Sequence, residues 1–424
     1  MIQIPHYLMP ISKSHQLRAL LMALFCDSPS HITPVTLSDD VYTLISMLKD
    51  PLMIQISHNT ATVTPNGWPF KSQLDAGNSG ILLRFVSALA ATQPHKTIIT
   101  GDASCQTRPM ATLVNTLIDC GAQIQYLEHP GFAPLSIHGP LTNTSITIHS
   151  EDSQPISALL CVLALTNQPP SSINLQHAGE RPFISMTIDW LRFLGHQIVQ
   201  DHWDSIRITP KTNTHGFETS LPIDIGLIGH WLVWSILHQK ALSMPYRLSQ
   251  WSQPDTAIIK LLKQMGAKIT IHAQKISIIP PKIIDPIQAD LNDSIDLLPL
   301  MALMATQADT GPSMFSGIRI ATTKECNRPK VIQQQLGLMG AAIDYHDDTM
   351  VVYPSALHHA SLDHYQDHRM AMMLHLANSI CADAKPLSHD HCINKSFPQF
   401  KETFTWINQY TSPSLAFQDQ ERPH

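Results

Sequence analysis

Leu262-Lys-Gln-Met-Gly266-Ala, followed by Lys268-Ile-Thr-Ile271 and Ile276-Ser-Ile-Ile-Pro280, is the stretch on which the fold reading turns. A helical run stops at Gly, and two alternating runs follow. Gly just past a helix adopts the left-handed conformation without the clash of a Cβ, so it marks a helix C-terminus. Period-two alternation broken by a short polar turn reads as a β-hairpin. The same helix ending recurs as Leu117-Ile-Asp-Cys-Gly121, Leu191-Arg-Phe-Leu-Gly195 and Leu336-Gly-Leu-Met-Gly340. The four Gly residues are 74, 71 and 74 positions apart. Paired strand-like runs also follow Gly195 (Gln197 to Pro210) and Gly340 (Ala342 to Pro354), and the same form without the Gly spans Met53 to Pro65. The repeating unit is a helix and two strands on a period of about 70 residues, which allows about six units. Such units must stack to bury their apolar faces, and two sets of three is the arrangement expected. The pattern restarts near Ser220-Leu-Pro-Ile-Asp224 with an apolar helix at Leu227 to Leu237, which places a domain break there. The polar tail from Thr411 to His424 is expected to fray.

The 424 residues are 43% hydrophobic and only 14% charged, with a net charge of −6. That is globular, too long for one core, and lacks the basic excess of a nucleic-acid binder. It does not exclude anionic ligands, because a few clustered cations can serve a pocket in an acidic protein. The seven Cys form no CxxC pair, which predicts free thiols in a reducing, cytoplasmic setting. The apolar run Ala19 to Phe25 follows a strand-like Ile2-Gln3-Ile4 and reads as a core helix rather than a signal segment. No run reaches the ~20 apolar residues of a membrane span.

With so few charges, the places of the cations are informative. They cluster in Ser12-Lys13-Ser14-His-Gln-Leu-Arg18, Gly77-Asn78-Ser79-Gly80-Ile-Leu-Leu-Arg84, Arg108-Pro109-Met110, Lys324-Glu325-Cys-Asn-Arg328, and Asp367-His368-Arg369 with Lys395 beyond. Lys13, Arg84 and Arg369 fall at or just inside helix starts, where free N–H groups and the helix dipole favour an anion. Each cluster alone reads more simply as solvated charge. Together, at equivalent places in a repeat, they predict helix N-termini converging on a polyanion site between two domains. Asp296, interrupting an apolar stretch, and Glu325, among cations, are candidate general base and acid. The plainer readings are a helix N-cap for Asp296 and a helical salt bridge for Glu325. No metal-ligand spacing, P-loop or GxGxxG is present, so no metal and no cofactor are expected.

These motifs, SKSxxxR, GNSGxxxR, TGDxxxxxRPM (Thr100 to Met110), KExxR, DHRMAM (Asp367 to Met372) and NKSFPxF (Asn394 to Phe400), run in order along almost the whole chain. In them the chain resembles the enolpyruvyl transferase family and, within it, the EPSP synthases. The resemblance implies an α/β fold of two domains, each three βαβαββ units, with the active site in the cleft between them. It implies domains at 12–223, mainly for the shikimate 3-phosphate side, and at 1–11 plus 224–424. The reaction implied moves the enolpyruvyl group of phosphoenolpyruvate to the 5-hydroxyl of shikimate 3-phosphate by addition and elimination. Carried over by position, the phosphoenolpyruvate site would be Lys13, Gly80, Arg108, Gln154, Glu325, Arg328, His368, Arg369 and Lys395. The shikimate 3-phosphate site would be Lys13, Ser14, Arg18, Ser153, Gln154, Asp296 and Lys324, with Asp40 and Asn78 supporting the closed site. Asp296 would serve as base and Glu325 as acid, with Lys13 and His368 assisting. A cytoplasmic monomer with small-molecule partners, and neither nucleic acid nor membrane, is expected.

Several positions depart from the family pattern. Asp152-Ser153-Gln154 stands where Ser-Ser-Gln is usual, and Glu180-Arg181-Pro182 where Ser precedes the basic residue. Both missing Ser normally donate to the acceptor's phosphate, whereas an ionised carboxylate only accepts and repels it. Either these acids turn away, or Arg181 and Lys324 compensate, or the acceptor differs. Ile11, Ile81, Phe183, Ile320 and Gly226-Leu227 also replace usual residues. The related UDP-N-acetylglucosamine enolpyruvyltransferases usually carry a Cys five residues before the Arg-Pro, where this chain has Ala103. A non-catalytic anion-binding paralogue is the reading from another class. It leaves unexplained why both acids persist among the cations.

Overall fold

The computed structural model describes residues 1–166, 168–249, 251–382, 384 and 387–410; the tail beyond Tyr410 lies outside the described residues. Six helices in it are buried nearly all round. In the first half they are Lys13–Ala23, Gly80–Ala90 and Ser153–Leu165. In the second half they are Ile225–Leu237, Leu298–Thr306 and His368–Ser379. A helix with no polar face has to be enclosed. Each lies inside its half, and the more amphipathic helices Arg181–Phe193 and Ala257–Gln264 pack outside them.

Five four-stranded sheets flank these helices, and all share one topology. Two parallel strands are followed by an antiparallel hairpin whose second strand pairs back. Gln73–Asp75 runs parallel to Thr97–Thr100, which pairs antiparallel with Leu135–His138, itself paired with Gln123–Tyr126. Gly121, Gly195, Gly266 and Gly340 all end their helices at positive φ, between +91° and +102°. The hairpin after Gly121 gives no clear sequence signal, because a connection from Leu127 to Pro134 separates its strands. After Val352 the last unit supplies the helices His368–Ser379 and Phe400–Asn408, with no strand among the described residues.

Two sheets borrow a strand from far along the chain. Ile2–Gln3 runs parallel to Leu242–Ser243, and Glu218–Ser220 runs parallel to His31–Thr33. The two crossing segments lie side by side. Ser12 N–H donates to Pro222 O at 3.0 Å, and Asp224 N–H to Pro10 O at 2.9 Å. The buried apolar residues accordingly form two clusters. One holds Ile11 to Leu221, and the other Ile4, Leu8 and Met9 with Ile225 to Ile407. Trp251 crosses over: it stacks on Trp190 at 4.3 Å and belongs to the first cluster.

Candidate active site

The six enclosed helices point their N-termini at one cavity between the halves. Lys13, Gly80 and Ser153 line it from one side, and Asp224, Asp296 and His368 from the other. Six first turns therefore face the same space, and their helix dipoles favour negative charge there. Eight cations and six carboxylates line the same cavity. All the residues expected to contact either substrate are among its lining: Lys13, Ser14, Arg18, Gly80, Arg108, Ser153, Gln154, Asp296, Lys324, Glu325, Arg328, His368, Arg369 and Lys395.

At one end the cations share acids. Arg328, 1% exposed, donates through Nε to Asp367 Oδ2 (2.7 Å), through Nη1 to Asp296 Oδ1 (2.6 Å) and through Nη2 to Glu325 Oε2 (2.9 Å). Arg369 pairs with Asp296 at 2.7 Å and Asp255 at 3.5 Å. Lys395 bonds Glu325 Oε1 at 2.5 Å and, across the cleft, Asn78 Oδ1 at 2.6 Å. Arg108 reaches the same Glu325 oxygen at 3.5 Å and the same Asn78 oxygen at 3.3 Å. A Cβ on Gly80 would lie 2.5 Å from Arg108 Nη1, so the bare backbone there is what lets the guanidinium in. Lys13 Nζ pairs with Asp40 at 3.0 Å.

The charges set the proton states. Burial alone would raise Glu325 and Asp296. For Glu325, Lys395, Arg108 and Arg328 outweigh it, and for Asp296, Arg369 and Arg328 do; both carboxyls are held below the usual range. Asp255 has fewer cations against the same burial and is pushed up to about 7. His368 is driven well below its ordinary value by burial, then by Lys13 and Lys395, so its imidazole is neutral. Its Nδ1 is buried without a hydrogen-bond partner among the described residues, as is Gln154 Oε1.

The other end is built differently. Arg18, 2% exposed, donates to Thr187 Oγ1 (2.8 Å) and Ser14 O (3.1 Å), and burial pushes it down to about 10. Asp152 caps the helix at Ser153 by accepting from Gln154 N–H at 2.9 Å, and stands 3.6 Å from Arg84. Glu180 is 2% exposed and sits in the left-handed region at φ +47°. Its Oε1 accepts from Lys324 Nζ across the cleft at 2.6 Å, and its Oε2 from Ser153 N–H and Oγ–H at 3.1 Å. So the two unexpected acids face inward, and Lys324 answers one of them. Arg181 does not compensate. Its backbone N–H donates to Asp293, while its guanidinium lies over Trp203, 5.4 Å from the ring centroid.

Asp296 is not a helix N-cap; it sits in the turn Asn292–Leu297 with its carboxylate spent on two arginines. Asp255 carries no readable signal in the sequence, and only the fold brings it in as counter-ion of Arg369. Arg84 and Asp367 stand in motifs but without a role readable there, and they pair with Asp152 and Arg328. Gly226, a departure from the family pattern, is explained by Asp255: a Cβ there would fall 2.1 Å from its Oδ2.

The profile of a family described as EPSP synthase (3-phosphoshikimate 1-carboxyvinyltransferase) matches residues 8–404. The 3-phosphoshikimate 1-carboxyvinyltransferase of Chlamydia trachomatis serovar L2 is 33% identical over 404 residues, covering 92% of this chain and 89% of its own. That of Chlamydia caviae is 32% identical over 398 residues, covering 92% and 88%. Among solved structures, an EPSP synthase from Acinetobacter baumannii superposes with a TM-score of 0.75 at 21% identity, covering 95% of each chain. The enolpyruvyl transferase NikO from Streptomyces tendae does so at 0.70 and 16%, covering 96% of this chain and 94% of that one.

Proposed function

The chain belongs to the EPSP synthase family, and we propose on that premise that it transfers the enolpyruvyl group of phosphoenolpyruvate to the 5-hydroxyl of shikimate 3-phosphate. The observation that supports this most is the convergence of six helix N-termini and eight cations on one cavity, with Asp296 and Glu325 embedded among them. Two multiply charged anions need such a site, and one neutral or singly charged ligand does not.

The charge pattern gives each residue a task. Arg108, Arg328, Arg369 and Lys395 hold the donor's carboxylate and phosphate, with Gly80 and Gln154 at its side. Ser14, Arg18, Ser153, Gln154 and Lys324 hold the acceptor. Lys13 stands near both and answers charge that develops on the bridging oxygen. Among the protein's own charges, Glu325 is a carboxylate because Lys395, Arg108 and Arg328 surround it. Phosphoenolpyruvate takes those cations for itself and brings its own negative charge, so Glu325 rises toward a pKa at which it can protonate the methylene carbon. Asp296 likewise loses Arg328 and Arg369 to the donor and becomes a better base for the acceptor's hydroxyl. Attack on the adjacent carbon gives a tetrahedral ketal; as its C–O bond to phosphate breaks, the methyl group returns a proton to Glu325 and the C=C bond is restored. Neutral His368 relays protons rather than carrying charge. None of these steps asks for a metal or organic cofactor. The two lobes are the substrate-binding units, residues 12–223 and residues 1–11 with 224–424. The protein acts as a monomer on small molecules in the cytoplasm.

Mixing the enzyme with both substrates should release one phosphate per enolpyruvyl ether formed, read by phosphorus NMR. Binding of both without phosphate release would overturn the catalytic reading.

A further inference from the structure

Among the described residues Lys324 is the one cation of the acceptor end supplied by the opposite lobe, and Glu180 already holds it. That ion pair joins the lobes at 2.6 Å with side-chain exposures of 13% and 2%. Glu180 is itself placed at some cost: a non-glycine residue at φ +47° is uncommon, and Ser153 N–H and Oγ–H fix its second oxygen. Any anionic acceptor that needs Lys324 must take it from Glu180. The carboxylate then stays behind, buried beside the incoming charge.

We infer that Glu180 is a specificity-determining group of the acceptor end: an anionic acceptor displaces it from Lys324, and Glu180 takes up a proton from solvent as the acceptor binds. The proton goes to Oε1, the oxygen that Lys324 vacates. This rests on the reading of the cleft as the site of shikimate 3-phosphate.

The surroundings favour that outcome over the alternatives. Glu180 faces Asp152 on its own lobe, and Asp296 and Lys324 on the other. Asp293 lies close by, accepting from Arg181 N–H at 3.1 Å. Arg84 is turned to Asp152, 3.6 Å away, and Arg319 to Glu151 at the rim, 3.7 Å away. Among the described residues no second cation is therefore placed to replace Lys324. Burial already raises the Glu180 carboxyl against the pull of Lys324, and Asp152 adds to it. Removing Lys324 and adding an anion both act in the same direction. The sign follows. A group whose pKa rises on binding takes up a proton between its free and bound values, so affinity falls as pH increases through that window.

Titration calorimetry of shikimate 3-phosphate at pH 8, in buffers of different ionisation heat, counts the protons directly, since the ligand's phosphate is then fully ionised. The wild type should take up a proton on binding. Glu180→Gln should take up fewer and bind about tenfold tighter at pH 8, with a flatter pH dependence. Glu151→Gln, which removes a carboxylate at the rim, should behave as wild type. Binding by the wild type with no proton uptake would overturn the inference while leaving the proposed function intact, even were Glu180→Gln to misfold. Phosphate release at an unchanged acceptor KM from pH 6 to 9 would do the same. Absence of binding at every pH would overturn the functional reading, and this inference with it.

Discussion

The two ends of the cavity use ions in opposite ways. At the end assigned to phosphoenolpyruvate, the two candidate catalytic acids are shared: Glu325 touches Lys395, Arg108 and Arg328, and Asp296 touches Arg328 and Arg369. Removing one cation leaves each of these two acids with another. At the acceptor end, among the described residues, Glu180 has Lys324 alone for its charge, and Arg18 donates only to neutral oxygens. A donor anion therefore inserts into a network that can rearrange, while an acceptor anion must break a single bond between lobes. Strong binding belongs to the first end and discrimination to the second.

The largest expected effect strikes both ends together. Lys13→Met should lower kcat about a thousandfold or more while thermal unfolding stays near wild type, because the residue stabilises charge that appears during reaction. Full activity would break the account of the donor site. Gly80→Ala comes next. Its Cβ would push Arg108 aside, so KM for phosphoenolpyruvate should rise about tenfold with little change for the acceptor. Equal changes in both constants would erase the distinction between the ends. Asp152→Ser should lower the acceptor KM by about threefold, since Ser still caps the helix but no longer repels an anion. A raised constant would mean that Asp152 faces no phosphate. Gly195→Ala serves as the structural contrast. At φ +91° it should cost about 1–2 kcal/mol of stability, read by denaturant midpoint, and leave both Michaelis constants alone.

What the sequence discloses follows the same physics. Local signals were readable: Gly at a helix end needs positive φ, and the four closely spaced hairpins alternate as strands must. Where a loop intervenes, as between Tyr126 and Leu135, the alternation is diluted and the hairpin goes unread. The cations could be found because charges are scarce in this chain, and all of those assigned to the site meet. Their counter-ions could not. Asp255 reaches Arg369 from a distant segment and nothing in its own neighbourhood announces it, while Asp367 stands in the DHRMAM motif with no local sign that it would meet Arg328. Glu180 shows the limit most clearly. Its local sequence says that a carboxylate stands where a donor is usual. That Lys324, 144 residues away, would hold it depends on how the two lobes meet.

The central claim is that this cleft joins phosphoenolpyruvate to a small acidic acceptor, and acceptor choice tests it most directly. Phosphate release from phosphoenolpyruvate should be measured with shikimate 3-phosphate and, separately, with UDP-N-acetylglucosamine. Release is expected with the first and none above background with the second; release only with the nucleotide sugar, or with neither, would contradict this assignment of the cleft.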